Sequence, residues 1–295
     1  MELIALTEMN ALPESCVSAI LSFVSPAEVC LLSLVSSTFL SAANSDVVWA
    51  RFLPSDHVDI VSPAASPVEF SSEKELFLWL CQRPLLVDGG RKSFKLERSS
   101  GIISYVLSAR ELSINRSDDL AHWIWKTLPE SRFKEVAELR TIDRLQIEGS
   151  IKTKALSPNT LYGAHLIFKV SDRAFGLDLM PLETSIEMGG WVRQGTARLQ
   201  HPDQKKRHLE GLMYANRLEM VRKHWEAEGD HRGGGGVPSE RGDGWMEVEV
   251  GEFLVGSGGE GDGEVRMSLR EVKGYQLKGG LVVEGIEVRP KSLVQ

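Results

Sequence analysis

"LPESCVSAILSFVSPAEVCLLSLVSSTF", residues 12 to 39, carries more apolar surface than two short helices can bury against each other. Val17, Ile20, Leu21 and Val24 recur at i, i+3, i+4 and i+7, one stripe of a helix that opens near Pro13 and Glu14. Ser25-Pro26-Ala27-Glu28 reads as a capping box, with Ser25 at the N-cap and Glu28 reaching back from the third helical position. A second helix therefore runs from Pro26 to about Val35. Asp46 can cap a third, in which Val48, Trp49 and Phe52 point inward before Pro54 stops it. Three helices in about forty residues lie near the size at which a domain needs disulfides, metal or a partner. With no disulfide framework or metal-ligand set in view, a partner protein is what remains to cover the stripe.

The rest of the 295-residue chain is ordinary globular material, 42% hydrophobic and 25% charged. A net charge of -7 argues against nucleic acid as a partner, because that affinity is built from clustered Lys and Arg. The first fifty residues contain no Lys or Arg at all. Three cysteines, with Cys16 and Cys30 inside apolar helical patterns, point to a reducing compartment and small-hydrophobe roles. No basic segment precedes an apolar run at the start, and no apolar stretch reaches the roughly 18 residues of a membrane span. The expected location is cytoplasm or nucleus, away from membranes.

Residues 54–70, with Pro54, Pro63 and Pro67, read as a connector, within a linker over 56–92 that holds one helix at about 73–82, opened by a second capping box at Ser72 to Glu75. Beyond residue 93 the period switches to two. "SYVLSARELSI" (104–114), "LQIEGSIKTKAL" (145–156), "GAHLIFKV" (163–170), "GWMEVEVGEFLV" (244–255), "VRMSLREV" (265–272) and "GLVVEGIEV" (280–288) alternate apolar and polar residues between turn-forming clusters. A short helix is expected at "PESRFKEVAEL" (129–139). A polar insertion at about 201–244 ends in a glycine tract, Gly233 to Gly236, that cannot pack. The fold class is thus α+β multidomain: a small three-helix domain over 1–55, then a mainly antiparallel, jelly-roll-like β-sandwich over 93–295.

Few residues carry a chemical signature. Gly256 to Gly261 satisfies G-x-G-x-x-G, but a strand follows where a dinucleotide site needs a helix N-terminus, so it reads as a hairpin loop. The seven histidines form no metal-ligand pattern, no nucleophile elbow is present, and no cofactor is expected. Asn115-Arg116-Ser117 and Arg241-Gly242-Asp243 are formal motifs that presuppose export, which is not expected from the N-terminal pattern. One aromatic cluster stands out, "SDDLAHWIWKTLPESRF" (117–133). Trp123 and Trp125 share a face in extended chain, and an exposed indole beside Asp118 and Asp119 suits carbohydrate; the alternative is that both are core.

The N-terminal stretch resembles the F-box. It carries that family's Leu12-Pro13-Glu14 opening, Pro26 with Glu28, Val35-Ser36 after the second helix, and the Asp46 to Trp49 close. The resemblance implies docking on a Skp-family adaptor, and through it on a cullin scaffold, by Leu12, Pro13, Val17, Ile20, Leu21, Val24, Val29 and Leu32. Ser37 and Thr38 stand where many F-boxes have a basic residue. The remainder resembles the phloem protein 2 family of Nictaba-like plant lectins, in "SARELSI", "LPESRFKEVAELR", "LQIEGSI", "LSPNTLYGAHLIFKV", "GWMEVEVGEF" and "GLVVEGIEVRP", in that order. Those lectins pair two tryptophans seven residues apart around an acidic turn. Here the second is Trp123 and the first is replaced by Arg116, which costs a stacking platform worth about 1 to 2 kcal/mol. The resemblance makes Trp123, Arg116, Asp118 and Asp119 the carbohydrate-contact candidates. It also implies a non-catalytic substrate receptor of a ubiquitin ligase whose target, glycosylated or not, is unidentified. The alternative is a stand-alone cytosolic carbohydrate-binding or defence lectin.

Overall fold

The computed structural model describes residues 12–62, 70–177, 181–199, 236–256, 263–272 and 276–291. They fall into two compact units, one ending at Tyr105 and the other beginning at Val106.

Among the described residues, the first unit opens with four short helices, α1 (Glu14–Leu21), α2 (Pro26–Leu32), α3 (Ser37–Ala42) and α4 (Asp46–Trp49). The capping box forms at α2: the Glu28 N–H donates to Ser25 Oγ at 3.3 Å, and the Ser25 N–H donates to Glu28 Oε2 at 2.8 Å. The expected three helices become four because Ser36 Oγ accepts the Phe39 N–H and starts α3, which buries Phe39 and Ala42. α1 packs on α3 and α4. Trp49 lies at the centre, 1% exposed, its Nε1–H donating to Ala43 O at 2.7 Å and its ring 5.2 Å from Phe77.

The segment 56–92 is not a connector. It holds α5 (His57–Val61), α6 (Glu73–Gln82) and β1 (Leu85–Val87), and it belongs to the first unit. Asp46 does not cap its own helix; its Oδ1 accepts the N–H of Glu73 at 2.8 Å and so caps α6. Leu76, Phe77 and Leu80 of α6 are fully buried, because a helix anchored at both Asp46 and Trp49 completes the core that the first four helices leave open. β1 pairs antiparallel with β2 (Lys92–Leu96), and β3 (Ile103–Ser108) spans the boundary between the units. Residues 63–69 lie outside the described residues.

The second unit is a two-sheet sandwich. The strands after β3 are β4 (Ser113–Ile114), β5 (Trp123–Lys126), β6 (Val136–Leu139), β7 (Gln146–Lys152), β8 (Thr160–Phe175), β9 (Leu182–Met188), β10 (Trp191–Ala197), β11 (Ser239–Glu240), β12 (Met246–Val255), β13 (Glu264–Arg270) and β14 (Gly279–Pro290). One sheet runs β3-β14-β8-β12-β11 with β6 and β5 joined at β14; the other runs β10-β9-β13-β7-β4. Period-2 burial is clearest in β7 and β13, whose Ile147, Ile151, Val265, Met267 and Leu269 point inward. Gly285 is dictated by the approach of neighbouring backbone: a Cβ there would lie 2.0 Å from Leu107 O.

Three sequence expectations are corrected in this unit. Residues 129–139 are not helical. Ser131 Oγ–H and the Arg132 N–H donate to Glu284 Oε1 at 3.1 and 2.9 Å, and Val136 onward forms β6, so tertiary partners override a helical local pattern. The glycine-rich loop before Glu264 is no hairpin, since β12 and β13 lie in different sheets; its residues 257–262 lie outside the described residues. The polar insertion ends before residue 236 rather than at 244. Gly236 already donates to Thr196 O at 2.7 Å, and Trp245 is 1% exposed, whereas residues 200–235 lie outside the described residues.

On its outward face the larger sheet carries an interlocked set of charges. Arg289 Nη2 lies 2.6 Å from Glu247 Oε1, its Nη1 2.8 Å from Glu287 Oε2, and Arg241 Nη1 2.6 Å from Glu287 Oε2. Hydrogen bonding from Arg289, with the charge of Arg289 and a further hydrogen bond from Arg241, pulls the Glu247 carboxyl down to about 2 against the penalty of burial.

Candidate functional site

On the helical unit the apolar stripe splits in two. Val17, Leu21 and Val29 are 1% exposed or less and form the unit's own core, so the expectation that they face a partner is corrected. Val24 and Leu32 are half-buried, and Leu12, Pro13 and Ile20 remain exposed. Residues that the stripe did not single out complete the outward surface: Phe23 at 83% and Leu34 at 82% exposure, with Leu31, Val35 and Leu40. A sequence signal for them exists, since apolar residues left over after the i, i+4 stripe is assigned inward have to point elsewhere. Covering a side chain such as Phe23 or Leu34 on association is worth about 1.5 to 3 kcal/mol each. Cys16 and Cys30, expected inside the helical patterns, are both exposed and free.

On the sandwich the candidate carbohydrate residues divide in the same way. Trp123 and Trp125 do share a face of β5, and that face is turned onto the preceding loop. Trp123 Nε1–H donates to Asn115 O at 3.0 Å and Trp125 Nε1–H to Ser117 O at 3.2 Å. Trp123 is 0% exposed, and the Arg110 guanidinium lies 3.6 Å from the Trp125 ring centroid. Trp123 is therefore core and offers no stacking platform, which corrects its place among the sugar contacts.

Arg116, Asp118 and Asp119 are exposed on the loop that the two indoles hold. Arg116 adopts a left-handed backbone with φ of 58°, a conformation that costs a non-glycine residue about 1 kcal/mol or more. Its Nη1 donates to His122 Nε2 at 2.8 Å, because His122 Nδ1–H is committed to Thr141 O at 2.8 Å. Asp119 accepts from Ala121 N–H through Oδ1 at 2.9 Å and stands 3.6 Å from His122 Nε2. His122 is the member of this cluster that the sequence pattern did not mark. Hydrogen bonds and ion pairs are what the loop offers a ligand. Among the described residues no three His, Cys, Asp or Glu side chains converge as metal ligands.

The phloem protein 2 family model matches residues 103–290, and an F-box-like model matches residues 9–55. The F-box protein PP2-B15 of Arabidopsis thaliana is 50% identical over 285 residues, covering 96% of this chain and 97% of that protein. The F-box protein VBF of the same plant is 49% identical over 286 residues, covering 96% and 100%. A third relative, the F-box protein PP2-B13, is 49% identical over 287 residues, covering 97% and 100%. With helices at the front, an antiparallel sandwich behind them and both family models in that order, the chain belongs to the F-box proteins that carry a phloem protein 2 domain.

Proposed function

We propose that this protein is the substrate-recognition subunit of a Skp-cullin-F-box ubiquitin ligase, itself non-catalytic, acting in the cytoplasm or nucleus. The observation that carries the reading is the exposure of the large apolar side chains Ile20, Phe23, Leu31, Leu34 and Leu40 on a helical unit that matches the F-box. Such exposure is costly in water and becomes favourable once a complementary apolar groove covers it. The sandwich holds the target, raising the local concentration of its lysines near the ubiquitin-loaded enzyme. Co-purification tests the adaptor half. Full-length protein is expected to retain a Skp-family adaptor, and the Phe23→Asp, Leu34→Asp double variant to lose it while keeping its circular dichroism spectrum. These positions are chosen because they are exposed; Leu21→Asp would unfold the core instead. Equal retention by both proteins, or by neither, sinks the reading.

A glycan on the target would be gripped by Arg116, Asp118 and Asp119 through hydrogen bonds alone. A glycan array comparing the wild type with Arg116→Ala decides the point: signal lost in the variant supports sugar recognition, and flat signals from both leave a protein surface as what is recognised.

A further inference from the structure

The ring of His122 is pinned on both sides, and its partners fix which nitrogen carries a proton. The Arg140 N–H donates to His122 O at 2.8 Å, which continues the pairing of β5 with β6 and holds the backbone under the ring. Nδ1 lies 2.8 Å from Thr141 O, and a carbonyl only accepts, so Nδ1 is protonated. Nε2 lies 2.8 Å from Arg116 Nη1, and a guanidinium only donates, so Nε2 offers its lone pair. One species alone satisfies both bonds, the neutral Nδ1–H tautomer. A second proton on Nε2 would set two donors and two positive charges against each other. Asp119 Oδ2, 3.6 Å from the same Nε2, is the acceptor then at hand.

Arg116 depends on this bond for its direction. Its backbone is fastened on either side by the indole bonds to Asn115 O and Ser117 O, and its own carbonyl accepts the Asp119 N–H at 3.1 Å. The side chain is exposed, and among the described residues its hydrogen bond goes to His122. The remaining charges near the ring come from the loop and from the segment after β6. Asp118 shares the loop. Arg140, whose Nη1 donates to Leu120 O at 3.1 Å, and Arg144 stay cationic at any working pH. The Asp143 carboxyl is held below its ordinary value chiefly by its own N–H and that of Arg144, with the charge of Arg116 adding to them. Lys278 donates to Asp143 O at 2.6 Å and is ion-paired with Glu271. Of the side-chain types gathered here, imidazole is the one that ordinarily changes charge between about pH 5 and pH 8.

We propose that His122 is the positioning residue of this loop: its neutral ring holds the Arg116 guanidinium in place for a ligand, and protonation releases Arg116 and hands the ring to Asp119. The consequence for binding rests on the reading of Arg116 as a target contact, but the test reads the free loop, so a flat glycan array and a failure here are separate results. The measurement is heteronuclear NMR of the imidazole and guanidinium groups of the full chain, from about pH 8 to about pH 5. The His122 signals are identified among the seven histidines by their loss in His122→Gln. At the upper end the Nδ1–H tautomer is expected, and across the window protonation of the ring and movement of the Arg116 Nε–H signal share one midpoint. His122→Gln keeps an acceptor for Arg116 but does not titrate, so the Arg116 signal is expected to lose its pH dependence. His122→Phe offers no acceptor and is expected to leave Arg116 in its released state at every pH. Should these variants misfold, Arg116→Gly suits the left-handed backbone, φ 58°, and removes the donor; the His122 Nε2 signal is then expected to move while Nδ1–H stays in place. A ring with a purely structural role would not move Arg116 with pH. An Nε2–H tautomer at the upper end, an Arg116 signal that stays still in the wild type, one that follows pH unchanged in His122→Gln, or a midpoint near 4, where carboxylates titrate, overturns the proposal.

Discussion

At the scale of single residues, the same residue type serves opposite ends. Trp123 is buried and hydrogen-bonded, so Trp123→Ala is expected to cost about 3 to 5 kcal/mol of stability in urea denaturation rather than to act on ligand binding alone. Leu21 and Leu34 are chemically identical, yet one is 0% exposed and the other 82%. The cysteines divide likewise. Burial pushes the Cys81 thiol up to about 11, whereas Cys16 and Cys30 are exposed. Brief treatment with iodoacetamide at neutral pH is therefore expected to label Cys16 and Cys30 in the native protein and Cys81 only after unfolding, read by mass spectrometry.

Elements are held by contacts that span long stretches of chain. Ser25→Ala removes the acceptor for the Glu28 N–H and is expected to cost about 1 kcal/mol, measured as a lower denaturation midpoint. The ladder of β8, β12 and β14 carries a pH dependence whose sign follows from Glu247. Its folded-state carboxyl lies near 2, below its ordinary value of 4.5, so its contribution is complete above that ordinary value and is lost as pH falls from there toward about 2. Urea midpoints measured across that window are expected to fall for the wild type, and to fall less steeply for Glu247→Gln. Glu284, 0% exposed, ties the 131–132 turn to β14, and this tie explains why a segment with a helical pattern is irregular and then a strand.

At the scale of the whole molecule, the chain divides into a helical unit with exposed apolar side chains and a β-sandwich unit, each with its own core. Much of this was legible in the sequence. Local signals fixed what depends on local chemistry: the capping box at Ser25, the α6 start at Ser72, the alternation that became β7, β13 and β14, and the ordered motifs that mark the family. Periodicity told which residues share a face, as with Trp123 and Trp125, but not whether that face meets water or protein. That choice belongs to tertiary structure, because burial is a property of what packs opposite. α3 and α4 cover Val17 and Leu21, the 115–117 loop covers the two indoles, and Asp46 caps α6 from 27 residues away. The composition and order of the chain determined its class of fold and its relatives, while contacts between distant segments decided which side chains were left at the surface to bind anything.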